Sequence, residues 1–156
     1  MASDPDAPAG GFLPPRWFIR AAWRTHKALY RWSRGRFGLR VPRSDRYGLA
    51  YLTTTGRRSG EPRSVMIAYF DDGDAMVTMA MNGWGAPEPA WWLNLQAHPD
   101  ARVELADGAR SVTGRAAQGE ERDRLWDRWR EIDENLDGYA ARRSTETAVV
   151  ILEPRS

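Results

Sequence analysis

At 156 residues the chain is the size of one domain, and a chain near this length buries roughly 68–70% of its unfolded surface without needing a staple. It has no cysteine, which excludes disulfides, thiolate metal sites and a thiol nucleophile. With His26 and His98 as its two histidines, it offers little for a histidine-rich metal site or a Ser-His-Asp triad, and no metal is expected. The net charge of +2 hides an uneven split. Residues 1–10 carry two acids and no base, 11–44 carry nine bases and no acid, and the rest carries fourteen bases against nineteen acids. A basic segment on a mildly acidic body points to a local polyanionic partner.

Residues 1–15, rich in Pro, Gly, Ala and Asp, read as a disordered tail. A helix is predicted over about 16–34, closed by Gly35 with Gly38 and Pro42 beyond it, so that 16–44 forms a helix and linker. From Tyr47 the pattern turns to short β runs. These are 47–55, then 63–70 after the turn Gly56-Arg57-Arg58-Ser59-Gly60, and 75–81 after the turn at 71–74. Residues 89–97 make a short helix that Pro99 stops, and the His98-Pro99 pair marks its end. Within that helix Trp91 and Leu95 face the core and Trp92 is left partly exposed. Residues 101–105 and 109–117 pair around Asp107-Gly108. A long helix then starts near Gly119, with Leu125, Trp126, Trp129, Ile132 and Leu136 as its core-facing stripe. A last strand covers 147–153. Six β runs joined mainly by hairpins predict an antiparallel barrel with helical decoration over 45–156, and not a doubly wound parallel sheet.

Two segments can carry chemistry. In Leu52–Arg63, three threonines precede a glycine-bounded turn that presents Arg57, Arg58 and Ser59, with Arg63 just beyond. Guanidinium groups pair bidentately with phosphate or carboxylate, so the cluster suits an anionic tail, although it also reads as an ordinary solvated basic turn. It is no P-loop, because the Gly-Lys-Ser/Thr ending is missing. In Met81–Leu95, glycines and prolines hold a loop against a helix with paired tryptophans, which suits a slot for a planar cofactor or plain core packing.

Together these segments resemble the deazaflavin-dependent nitroreductases, also described as F-420-dependent quinone reductases, a family of split β-barrel fold. The marks are Leu52-Thr53-Thr54-Thr55-Gly56-Arg57-Arg58-Ser59-Gly60 with Pro62-Arg63, then Pro89, Trp91, Asn94-Leu95 and Pro99, and the ending Glu153-Pro154. The resemblance spans about Leu49 to Pro154. It implies an F-420H2-dependent oxidoreductase passing hydride to a quinone-like, nitroaromatic or other conjugated electron acceptor. Arg57, Arg58, Ser59 and Arg63 would hold the phosphate and oligoglutamate tail of the coenzyme. Met79, Ala80, Met81, Asn82, Trp91 and Asn94 would surround its ring. FMN is the alternative cofactor, and a non-catalytic F-420-binding protein the alternative function.

The chain also departs from the pattern. Met81-Asn82-Gly83-Trp84 stands where relatives often have Ser-Lys-Gly-Gly or Ser-Asn-Gly-Gly, which removes a hydroxyl and adds an indole. Tyr139, beside Asp133 and Leu136, is what remains of several tyrosines before the last strand, and Ala68 stands where relatives carry another. Asn82, Trp84, Tyr69 and Tyr139 are therefore the candidate substrate-side residues.

In the N-terminal helix Arg16, Arg20, Arg24, Lys27, Arg31 and Arg34 share one face, and Phe18, Ala22, Leu29 and Trp32 lie opposite. This fits peripheral binding to an anionic membrane, and it fits equally a helix packed on the barrel or in an oligomer. Two basic clusters do not make a nucleic-acid reading motif. No apolar run nears the roughly 20 residues of a membrane span and the N-terminus lacks a signal core, so the expectation is a cytoplasmic protein touching the inner membrane face.

Overall fold

The computed structural model describes residues 17, 20, 21, 24, 38–81 and 88–156. The β runs become six strands: β1 (Gly48–Thr55), β2 (Pro62–Asp72), β3 (Ala75–Met79), β4 (Asp100–Leu105), β5 (Gly108–Ala116) and β6 (Val149–Pro154). All pairings are antiparallel, and the order β1-β2-β3-β6-β5-β4 closes on itself because β1 also pairs with β4. Closure satisfies the backbone groups that an open sheet would leave at its edges. The expected split-barrel architecture is what forms.

Three helices decorate it: α1 (Ala90–Ala97), α2 (Gly119–Ile132) and α3 (Leu136–Ala141). Strand alternation divides the apolar residues between two cores. In β6, Val150 and Leu152 join Leu52, Ile67 and Val103, while Val149 and Ile151 meet Leu125 and Trp129 of α2 on the other face. Both faces of this strand are covered, which is why its sequence reads as an unbroken apolar run.

The structure corrects the expected elements in three places. Trp92 is as buried as Trp91, at 7% and 8% exposure. Helix α1 packs against β1, β2 and β5, and its exposed positions are Ala90, Gln96 and Ala97, so both indoles fall on the packed side. The helix after Gly119 does not run through Leu136. Asp133 adopts an extended backbone, its Oδ1 accepts the Asn135 N–H at 3.0 Å, and the chain turns before restarting as α3. Strand β3 stops at Met79 and not at Met81. Trp17, Arg20, Ala21 and Arg24 are helical. The rest of the helix expected at 16–34, and the tail expected at 1–15, lie outside the described residues.

Candidate functional site: a cleft between an arginine turn and an aromatic end

The β1–β2 turn is held by its own backbone. The Gly56 N–H donates to Glu61 O and the Gly60 N–H to Gly56 O, each at 2.8 Å. Gly60 sits at φ +72°, where a side chain is strained, and a Cβ on Gly56 would stand 2.7 Å from Ser59 Oγ. Ser59 Oγ accepts the Glu61 N–H at 3.1 Å and Arg63 Nη2 at 3.5 Å. The turn is then fastened to α1 by Asn94, which is buried. Its Oδ1 accepts both the backbone N–H of Arg57 (3.1 Å) and Arg57 Nη1 (3.2 Å), and its Nδ2 donates to Thr54 Oγ1 at 3.1 Å.

Beside this turn lies a cleft of about 920 Å³. Arg57, Arg58, Ser59 and Arg63 border one part of it, and Pro89, Trp91 and Asn94 another. Met79 and Met81 border it from the end of β3, and Ser64 to Ala68 along β2. Tyr47, Trp129, Asp133, Leu136 and Tyr139 form an aromatic end. Arg20 and Arg24 of the N-terminal helix also reach it.

The electrostatics are lopsided. Several arginines of the barrel surface are matched: Arg115 pairs with Glu121 and Glu153, Arg124 with Asp72, and Arg130 with Asp127 and Asp137. Among the described residues Arg57, Arg58 and Arg63 have no carboxylate within ion-pair distance, and Asp133 is the one carboxylate bordering the cleft with five arginines. Such a surface draws anions. At the aromatic end, burial pushes the Tyr139 phenol up, and the neighbouring Asp133 charge adds to it. The described residues hold no cluster of three His, Asp or Glu fit for a metal ion.

Of the residues singled out in the sequence, Arg57, Arg58, Ser59, Arg63, Met79, Met81, Trp91, Asn94 and Tyr139 come together around the cleft. Ala80 does not border it. It is fully buried in the barrel core, and its carbonyl accepts Arg143 Nη1 at 2.9 Å. Tyr69 likewise points into the barrel core, where burial, then Asp71 and Asp107, push its phenol up to about 12. Asn82 and Trp84 lie outside the described residues. Sequence reasoning passed over Tyr47, Trp129 and Arg143. Arg143 is a cation whose side chain is wholly enclosed. Besides Ala80 O it donates to Thr147 Oγ1 at 2.9 Å and lies 3.3 Å from Glu88 Oε1, an ion pair in which Nη2 finds no hydrogen-bond geometry. Thr145 Oγ1 donates to the same Glu88 oxygen at 2.9 Å.

A six-stranded closed barrel carrying an unneutralised arginine turn beside a largely apolar cleft defines a coenzyme-binding split-barrel protein, and solved structures agree. An F-420-H2-dependent reductase (FDR-A) superposes with a TM-score of 0.61 at 26% identity, covering 74% of this chain and all of that one. A second structure, described as a domain-swapped dimer, gives 0.65 at 25% identity, covering 90% of this chain and all of that one. The model of the F-420H(2)-dependent quinone reductase family matches residues 22–154. An F-420H(2)-dependent quinone reductase of Mycobacterium tuberculosis is 35% identical over 135 residues, which is 85% of this chain and 89% of the relative. The chain belongs to the F-420H(2)-dependent quinone reductase family, and with it to the oxidoreductases that use coenzyme F-420.

Proposed function

We propose that the cleft binds reduced F-420 with its anionic tail on the arginine turn, and that a quinone-like, nitroaromatic or other conjugated acceptor enters toward the aromatic end. The observation that carries this is the set of three guanidinium groups, Arg57, Arg58 and Arg63, left without carboxylates on a turn that Asn94 fastens beside an apolar slot through Arg57. When bound, the coenzyme supplies a hydride. The residues of this chain supply position and charge. Arg57, Arg58, Ser59 and Arg63 hold the phosphate and tail. Met79, Met81, Trp91 and Asn94 wall the ring, with Ala80 acting through its backbone alone. Asn82 adjoins this wall in sequence and is included in the proposal with Trp84 on the acceptor side.

The family does not favour FMN, or a protein that only stores the coenzyme. Titration with F-420 and with FMN tests the choice directly, and tight F-420 binding with preference over FMN is expected. Replacing Arg58 and Arg63 together by alanine should weaken F-420 binding at least tenfold, about 1.4 kcal/mol, which is modest for charge-assisted hydrogen bonds. Unchanged affinity in the folded double variant would remove the assigned site.

Peripheral membrane contact through residues 16–34 is a separate reading with weaker support. Arg20 and Arg24 border the cleft, which favours a role for these two beside the ligand. No helix among the described residues is long and apolar enough to cross a membrane. A cytoplasmic location accords with the proposed reaction. Self-association is in keeping with the structural neighbour described as a domain-swapped dimer.

A further inference from the structure

Among the described residues bordering the cleft, one side-chain polar atom is enclosed and makes no hydrogen bond: the Tyr47 hydroxyl. The residue lies just before β1, with its ring 4.6 Å from that of Trp129 between centroids, and the Asp133 carboxylate stands close by. An enclosed phenol without a partner carries a desolvation cost that most native structures avoid. Burial first, then the Asp133 charge and the approach of that carboxylate to the hydroxyl, push this phenol far above its usual value of 10.0, while Trp129 pulls weakly the other way. Neither group comes within hydrogen-bonding geometry, and the phenol stays a neutral O–H donor at any physiological pH. Such a group suits a carbonyl, quinone or nitro oxygen. The adjacent carboxylate repels an acceptor that is itself an anion.

We propose that the Tyr47 hydroxyl is the hydrogen-bond donor to the acceptor's oxygen. With Trp129, Asp133 and Tyr139 it forms a subsite for a flat, neutral, oxygen-bearing electrophile. The assignment rests on reading the cleft as a reductase site. Tyr47 donates a hydrogen bond and keeps its proton, so no bond is made or broken at this residue. It takes the place of donors that the sequence lacks at Ala68 and Met81, and it comes from a part of the chain remote from both.

Tyr47→Phe keeps the ring and removes the hydroxyl. The probes are naphthoquinone, naphthalene and F-420, each titrated separately against the coenzyme-free full chain by tryptophan fluorescence, with a thermal melt of both proteins. Naphthoquinone should bind the variant roughly five- to twentyfold more weakly, in line with one lost hydrogen bond. Naphthalene and F-420 should bind both proteins alike. The Tm should hold or rise, because phenylalanine removes an unpaired buried group. Equal naphthoquinone affinity in the two proteins overturns the proposal. So does a lowered Tm with equal affinity, which would make the hydroxyl a structural group. A wild-type chain that fails to bind F-420 sinks the reductase reading by a different measurement, so the two failures are distinguishable.

Discussion

At the turn end of the cleft Arg57, Arg58, Ser59 and Arg63 lie within seven residues of sequence and need one outside anchor, Asn94. At the aromatic end Tyr47, Trp129, Asp133 and Tyr139 arrive from the lead into β1, from α2, from the break after it and from α3. The first region presents charge, which a short stiff turn can do wherever it is grafted. The second depends on where a helix stops and how two aromatic rings stack, so each side chain is placed by the tertiary fold. Under the proposed assignment, coenzyme recognition can thus persist while the acceptor end changes. Here Tyr139, beside Asp133 and Leu136, is what remains of the tyrosines that the resemblance implies.

Arg143 follows α3 and reaches the end of β3, and removing it should have the largest effect. Its guanidinium ties Ala80, between the cleft-lining Met79 and Met81, to Glu88, which leads into α1 and the turn's anchor. Arg143→Met leaves the half-buried Glu88 carboxylate with Thr145 alone and strands the Ala80 carbonyl. Breaking a buried pair from one side costs about 3–5 kcal/mol. A Tm lower by roughly 6–20 °C is expected for a chain this size. Both F-420 and acceptor affinities should fall together, and adding Glu88→Gln should restore part of the stability. If only one affinity falls, Arg143 belongs to one region and does not couple them.

Asn94→Ala comes next and should separate the regions. It leaves the Arg57 N–H and Thr54 Oγ1 without this partner, a loss of about 1–3 kcal/mol. Coenzyme affinity should drop because Arg57 loses its fixed direction, while naphthoquinone binding at the aromatic end stays within about twofold of wild type, a change of roughly 0.4 kcal/mol. Calorimetric titration of both ligands checks this. A matching drop for the quinone would mean that the acceptor also relies on the turn.

The barrel and the turn were legible because their signals are local. Asp-Gly turns separate apolar runs, and two glycines bound an arginine cluster. Tyr69 was legible in principle, because it shares a strand face with Ile67 two residues before it and both lie in the barrel core. Ala80 was not, because it lies just past the end of β3, where strand alternation no longer applies. Other features gave no local sign. Trp129 reads as one member of a core stripe, and it is core, yet it also borders the cleft beside Tyr47. The burial of Trp92 follows from α1 packing against three strands, and periodicity along one helix says nothing about how many neighbours it will have. The stop at Asp133 arises from a side chain competing for a backbone N–H two residues on.

The smallest effect is expected from Tyr69→Phe, and it tests whether a tyrosine of the barrel core is independent of both ends of the cleft. Tyr69 is 3% exposed and shares the core with Leu52, Ile67 and Met76. At neutral pH the variant should match the parent in F-420 affinity, quinone affinity and turnover. The difference should appear only in alkali. Burial raises the Tyr69 phenol from 10.0 to about 12, with Asp71 and Asp107 adding to the shift. The folded state therefore holds this proton more tightly than the unfolded chain does. The stability tied to it is fully present below pH 10.0 and is lost as pH rises through about 12. Phenylalanine has no proton to lose, so the variant's Tm should decline less steeply across that window than the parent's. Tyr47 does not mask the comparison, because its raised phenol contributes the same pH dependence to both proteins. Parallel melts at closely spaced pH values give the two slopes. Equal slopes would mean that the Tyr69 phenol is not held in the protonated form by the barrel. Altered turnover at neutral pH would instead return Tyr69 to the acceptor side, where the sequence first placed it.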